Sequence, residues 1–255
     1  MSLRLDQALT SRGLARSRTL AASWIRDGRV SVNGAPCTKP SLKVSEEDQL
    51  EVAASGADEF VSRGGHKLAG ALDTFTDIDP AGLRCLDAGA STGGFTDVLL
   101  RRGAREVVAV DVGHDQLVAE LRNDERVRVF EGLNVRYMSP EEIGGPADLT
   151  VCDLSFISLT LVTDALGRAT KDGGDVLFMV KPQFEVGVDN ISRTGVVTSE
   201  RERRRAVDGV IAAAESAGLD VRGRVESPLP GQDGNVEFFV WCRKRSTVQR
   251  VGSLA

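Results

Sequence analysis

Histidine is almost absent from this 255-residue chain: His66 and His114 are the only two, too few for a histidine-based zinc site. The four cysteines, Cys37, Cys85, Cys152 and Cys242, lie far apart and form no Cys-x-x-Cys pair. Three of them fall in apolar, strand-like runs, where a thiol behaves as a small hydrophobe. The expectation is reduced core residues of a cytoplasmic protein, with neither disulfides nor metal ligands. No run approaches the roughly 20 apolar residues of a membrane-spanning helix. The first residues hold no apolar signal-peptide core, so export is not expected. Repeats and low-complexity segments are also missing.

What is present is ordinary for a globular protein, 41% hydrophobic and 27% charged. The length suits a small module followed by one α/β domain. Charge is unevenly placed. Residues 1–44 carry eight Lys/Arg against Asp6 and Asp27, a net +6, leaving −11 for the rest of a chain whose total is −5. A basic lobe on an acidic body fits a polyanion partner; a merely solvated basic face is the alternative.

The first segment reads helix, turn, helix, then small strands. Leu5, Ala8 and Leu9 have helical spacing, and Gly13 stands at a C-cap position. Ser17 is placed to cap a second helix carrying Leu20, Ala21, Trp24 and Ile25, closed by Gly28. Val30–Val32 leads into the hairpin turn Asn33-Gly34, and Leu50–Val52 reads as another strand. Arg12, Arg16 and Arg18 cluster where the helices join, a cationic face for phosphates. Arg4-Leu5-Asp6, Gly13, Ser17-Arg18, Gly28 and Val32-Asn33-Gly34 resemble the RNA-binding domain named after ribosomal protein S-four, over residues 1–54. The resemblance implies RNA binding, with Arg4, Arg12, Arg16 and Arg18 as contacts and Arg63 joining them from the next domain; a helical dimerisation module is the alternative.

Residues 55–61 read as a linker and 246–255 as a loose tail. Between them, over 62–245, strands alternate with helices, which means a mostly parallel sheet covered on both faces. Strands are expected at 84–88, 106–111, 127–131, 147–153, 175–180, 219–225 and 236–242. Helices are expected near 94–102, 116–123, 159–169 and 200–217.

Leu86-Asp87-Ala88-Gly89-Ala90-Ser91-Thr92-Gly93-Gly94-Phe95 ends the first strand and opens a helix. Its glycines let the backbone turn sharply and approach a ligand. Asp87 would repel a dinucleotide pyrophosphate but would hold the ammonium of S-adenosylmethionine, and the glycine spacing departs from the dinucleotide fingerprint. Asp111, ending the second strand, is placed to accept from both ribose hydroxyls. Asn134 stands where it could meet the adenine edge or simply form a turn. The cofactor contacts expected are therefore Asp87, Gly89, Ala90, Ser91, Gly93, Gly94, Phe95, Asp111, Asn134 and Asp153.

Asp153 and Lys181 end apolar strands, Glu237 lies near the start of the last one, and Lys67 precedes the first. Charges at such places are costly without a partner or a task. Ligands bind beyond the carboxyl ends of parallel strands, where Asp153 and Lys181 meet; Glu237 joins them only if its strand runs antiparallel. A lysine can take the proton of a ribose hydroxyl when burial or a second cation pushes its pKa down, and Lys67 beside Lys181 would supply that push. A strand-edge lysine and a helix-capping aspartate are the alternatives.

Val61–Leu68, Cys85–Thr96, Asp153–Leu159, Val180–Gly187 and Gly234–Glu237 together resemble the hemolysin A (TlyA) family of rRNA methyltransferases, related to the FtsJ group. The resemblance implies a Rossmann-like class I methyltransferase fold with a seven-stranded, mostly parallel sheet, beside the small α+β RNA-binding domain. It also implies 2′-O-methylation of cytidine in ribosomal RNA from S-adenosylmethionine, on ribosomal subunits as partners. Its Lys-Asp-Lys-Glu tetrad maps onto Lys67, Asp153, Lys181 and Glu237. Some members carry Trp-Val in the linker where this chain has Phe60-Val61. A monomer with no metal is expected. The haemolytic association of the family name raises a membrane-active alternative, for which no inserting segment is found.

Overall fold

The computed structural model describes residues 2–15, 18–26, 28–53, 60–187, 191–192, 194–231 and 233–246. The chain divides into two compact units, residues 1–59 and 60–255. Arg16, the capping position Ser17, most of the expected linker and most of the expected tail lie outside the described residues.

In the first unit, β1 (Leu3–Arg4) pairs with β4 (Lys43–Val44), and α1 (Leu5–Ser11) packs on α2 (Arg18–Arg26). β2 (Val30–Val32) is the centre of an antiparallel sheet between β3 (Ala35–Cys37) and β5 (Leu50–Val52). Asn33 and Gly34 both have positive φ, 52° and 78°, the mirror-image turn that the Asn-Gly pair favours. The Asn33 amide also clasps the neighbouring strand, donating to Asp48 Oδ1 and accepting from Gln49 N. Leu5, Leu9, Ile25, Val30 and Val44 form the buried centre.

The second unit is built on a seven-stranded sheet in the order β11-β12-β10-β9-β6-β7-β8. Its strands are β6 (Arg84–Ala88), β7 (Glu106–Asp111), β8 (Val127–Glu131), β9 (Ala147–Cys152), β10 (Thr170–Val180), β11 (Leu219–Glu226) and β12 (Phe238–Lys244). β6, β7, β8, β9 and β10 pair in parallel, and β12 is antiparallel to both β10 and β11. Side-chain alternation sends Cys85, Val107, Val151 and Leu177 to one face and Leu86, Val108, Cys152 and Phe178 to the other. The first face is covered by α3 (Arg63–Thr74) and α4 (Gly94–Arg101). The second is covered by α6 (Thr163–Arg168) and α7 (Glu200–Ser216), while the short α5 (Ala119–Arg122) follows β7. Burial pushes the Cys85 and Cys242 thiols up to about 12 and raises Cys152 as well, as befits core side chains.

Several features differ from the expectation: β10 begins at Thr170 where 175 was expected, and β12 spans Phe238–Lys244 where 236–242 was expected. α3 is a helix over a segment for which the sequence reading gives no helix. It is held by Leu68, Ala71 and Leu72 in the core despite three glycines of low helix propensity. The helix expected over 159–169 is a 3₁₀ turn at Leu159–Leu161 followed by α6, and that over 116–123 shrinks to α5. Phe60 and Val61, read as linker, pack on the second unit: Val61 N donates to Asp97 Oδ2 at 2.9 Å, and the Arg101 guanidinium lies over the Phe60 ring.

At the amino end of β6 the buried Arg84 guanidinium holds Glu106 Oε2 at 2.8 Å and the carbonyls of Ile143 and Gly145. Arg84→Met leaves those acceptors short of a donor, and the expected loss is about 3 kcal/mol. In thermal unfolding that is a fall in Tm of roughly 6–12 °C; a shift below about 2 °C would show that the guanidinium holds nothing.

Candidate active site

The parallel strands β6, β9 and β10 end side by side, and the residues that follow them are Gly89, Asp153 and Lys181. β12 enters the sheet from the same edge, because Val180 pairs with Phe238 in antiparallel register. Glu237 therefore stands beside Lys181 in the backbone, the condition under which the sequence reading admitted it. Asp153 N donates to Ala88 O, so the β9 turn runs directly against Gly89. Gly89 has φ +92°, and a side chain there would collide with the Asp153 carbonyl. Glycine is thus required by both backbone angle and space.

The four charged residues form two matched pairs. Lys67 Nζ, carried by α3, donates to Glu237 Oε2 at 2.5 Å, with side chains only 10% and 3% exposed. Lys181 Nζ is ion-paired with Asp153 Oδ1 at 2.7 Å and donates to Ser155 Oγ at 2.8 Å. The sequence reading places Lys67 near Lys181, with Asp153 and Glu237 orienting the two amines and balancing their charge. In the structure Glu237 is the partner of Lys67, and Lys181 faces Asp153 and Ser155.

A cleft of about 330 Å³ opens over this edge, lined by Gly89, Ser91, Asp111, Val135, Asp153 and Phe156 among others. That volume is at the small-ligand end of binding pockets. Asp111 takes Ser91 N on Oδ2 at 2.8 Å and Gly113 N on Oδ1 at 2.7 Å, which fixes the carboxylate and leaves each oxygen a lone pair. Ala90 N is held by Val110 O, and Gly93, at φ +102°, caps α4, whose first residue Gly94 abuts Ser62 and Gly65. Asp87 lies fully buried in β6. Thr96 Oγ1 donates to its Oδ2 at 2.7 Å, while Oδ1 has no partner. Burial above all, with Asp153 adding to it against the Thr96 bond, raises the Asp87 carboxyl to about 7. An orphaned buried acceptor under a glycine turn fits a ligand that brings a cationic group.

The remaining expected contacts are dispersed. The Phe95 ring is buried against Phe239, 6.2 Å between centroids, and belongs to the core. Asn134 is exposed between the lining residues Leu133 and Val135, with Oδ1 accepting from Arg136 N as a turn former does. In the first unit, Arg4 grips the buried Asp6 with two nitrogens and Arg18 reaches it at 3.4 Å; the Arg4 bond chiefly holds the Asp6 carboxyl below its ordinary range. Arg12 spends its guanidinium on the carbonyls of Ser45 and Asp48. In the second, Arg63 is exposed and touches Pro230 O.

Two residues that the sequence reading did not single out hold the edge together. Glu185 accepts from Ser158 Oγ at 2.5 Å and Leu159 N at 2.8 Å, joining the turn after β9 to the turn after β10. Its carboxyl is raised by burial. The buried Asn235 accepts from Val197 N and donates to Gly195 O, fastening the segment that precedes α7 beside Glu237. Neither stands out in its run, since Lys181 and Gln183 precede Glu185 and Gln232, Asp233 and Glu237 surround Asn235.

The FtsJ-like methyltransferase profile matches residues 60–244, and the S4 domain profile residues 3–50. The 16S/23S rRNA (cytidine-2'-O)-methyltransferase TlyA of Mycobacterium tuberculosis is 52% identical over 244 residues, 95% of this chain and 90% of that protein. Hemolysin A of Brachyspira hyodysenteriae is 36% identical over 93% of this chain and 98% of its own length. A solved Streptococcus thermophilus structure superposes with a TM-score of 0.76 at 38% identity, covering 97% of this chain and 91% of that one. With a methyltransferase profile over the second unit, an S4 profile over the first and relatives matched nearly end to end, the chain belongs to the TlyA family of FtsJ-like methyltransferases.

Proposed function

We propose that the chain methylates the ribose 2′-hydroxyl of a cytidine in ribosomal RNA, using S-adenosylmethionine, in the cytoplasm and on the small subunit, the large subunit or both. The observation that carries the reading is the Lys181–Asp153 pair, whose aspartate lines the cleft together with Gly89. Bound in that cleft, S-adenosylmethionine supplies an electrophilic methyl carbon on a sulfonium. The chain's part is then to hold, align and deprotonate.

Asp87 is assigned the cofactor's ammonium, Asp111 its ribose hydroxyls, and the backbone of Gly89, Ala90, Ser91, Gly93 and Gly94 its closest approach. Leu133 and Val135 give the adenine an apolar wall, with the Asn134 amide nitrogen at its edge. Lys181 is assigned the proton that the 2′-hydroxyl would lose on methyl transfer. Asp153 and Ser155 aim that amine, and Asp153 balances the ammonium that results. The leaving thioether is neutral, so no acid is needed opposite it. Alignment of oxygen, carbon and sulfur supplies much of the remaining rate. The Lys67–Glu237 pair fixes α3 against β12 and so holds the wall of the site. The first unit, with Arg4 and Arg18 at its surface and Arg16 in the same segment, is assigned to ribosomal RNA.

Transfer from labelled S-adenosylmethionine to purified ribosomal subunits is expected for the wild type and reduced at least about 100-fold in Lys181→Ala. The label should survive alkaline hydrolysis in a dinucleotide, because a 2′-O-methyl group blocks cleavage at its own nucleotide. Transfer undiminished in the variant would remove Lys181 from the chemistry.

Asp87 generates a pH test. Its folded carboxyl titrates near 7, so it is largely protonated at lower pH and becomes an ammonium partner only as pH rises. Affinity for S-adenosylmethionine in calorimetry is expected to increase from about pH 6 to about pH 7.5 in the wild type. Asp87→Asn should bind more weakly and without that rise; parallel profiles for the two proteins would exclude Asp87 as the ammonium partner. The sign for folding is opposite. A raised carboxyl stabilises fully below its unfolded value near 4, and that contribution is lost as pH climbs through 7.

A further inference from the structure

The most exposed large hydrophobic side chains among the described residues are Phe156 at 91%, Tyr137 at 74% and Val112 at 63%. All three belong to turns at the carboxyl edge of the sheet, where Val112 and Phe156 line the cleft and Tyr137 follows the lining residue Val135 by two positions. Exposed apolar surface is ordinary when scattered and informative when gathered at one rim. Tyr137 is also the only tyrosine in the chain.

Its presentation is rigid. The turn is closed by Tyr137 N donating to Asn134 O and Arg136 N donating to Asn134 Oδ1, both at 3.0 Å. Val135 and Met138, on either side, are buried in the core and anchor the loop. The Arg136 guanidinium lies 5.5 Å from the Tyr137 ring centroid. One short turn thus offers a fixed aromatic ring and a cation beside it.

We propose that Tyr137 and Arg136 form a stacking platform for an unpaired nucleotide of the substrate RNA flanking the one that is methylated. A base has a flat apolar face for the ring, and its phosphate has the charge for the guanidinium. Single-stranded RNA is recognised by this combination, whereas a duplex keeps its base faces stacked and withheld. The proposal rests on the RNA methyltransferase reading and adds a contact outside the reacting groups.

The test places a reporter on the platform. Tyr137→Trp is titrated with a short single-stranded oligoribonucleotide and with a blunt duplex of the same sequence, and the wild-type signal from Trp24 and Trp241 is subtracted. Quenching by the single strand and not by the duplex is expected. In methyl transfer, Tyr137→Ala should raise KM for ribosomal RNA about fivefold or more with kcat within about twofold, and Tyr137→Phe should restore it. A merely structural role would lower kcat or folded yield and would leave the added tryptophan unquenched. Absent or equal quenching by the two RNAs overturns the platform, and it does so whether or not methyl transfer is observed. Loss of transfer in the wild type would instead count against the reading beneath it.

Discussion

The site depends on one buried ion pair. Lys67 and Glu237 stand 170 positions apart, on the first helix of the second unit and at the entry to its last strand, and their charges meet at 2.5 Å out of water. Burying two charges is costly, and the cost is offset only when geometry is good and both partners are present. The pair thus ties α3 to the entry of β12 at the edge where β6, β9 and β10 end. The same register puts Glu237 level with Lys181.

The rest of the edge follows a similar economy. Three backbone turns converge where the parallel strands stop, and each is fixed by a polar residue that has little freedom of its own. Glu185 bridges the turns that carry Asp153 and Lys181, and Asn235 fastens the segment before α7 beside Glu237. Asp87 is the exception, with one oxygen bonded to Thr96 and the other unmatched. Asp153 Oδ1 likewise lacks a hydrogen-bond donor but is ion-paired with Lys181, whereas Asp87 Oδ1, beneath the glycine turn, has neither among the described residues.

Much of this was legible in the sequence because parallel strands, buried on both faces, read as apolar runs with sharp ends. The runs at 84–88, 106–111 and 127–131 appear in the structure with those bounds. The Asn33-Gly34 turn was equally plain, since few residues accept two successive positive φ angles. α3 was not legible. Gly64, Gly65 and Gly70 depress its intrinsic propensity, and it is helical because Leu68, Ala71 and Leu72 are packed by residues far away in sequence. The pairing of charges was hidden for the same reason. The sequence showed two lysines and two acids at one edge, and only the sheet order decides which amine meets which carboxylate. Phe95 shows the limit of reading a motif as a contact list, for its ring turns into the core against Phe239 while the glycines beside it line the turn.

The claim that the Lys67–Glu237 pair organises both fold and site is tested most directly by a double-mutant cycle in chemical denaturation with Lys67→Met, Glu237→Gln and the two together. The account predicts that each single change, leaving a buried charge alone, costs about 3–5 kcal/mol. The double variant should be less destabilised than the sum by more than about 1 kcal/mol. Additive losses would show that the two side chains contribute independently, and would contradict the account at its base.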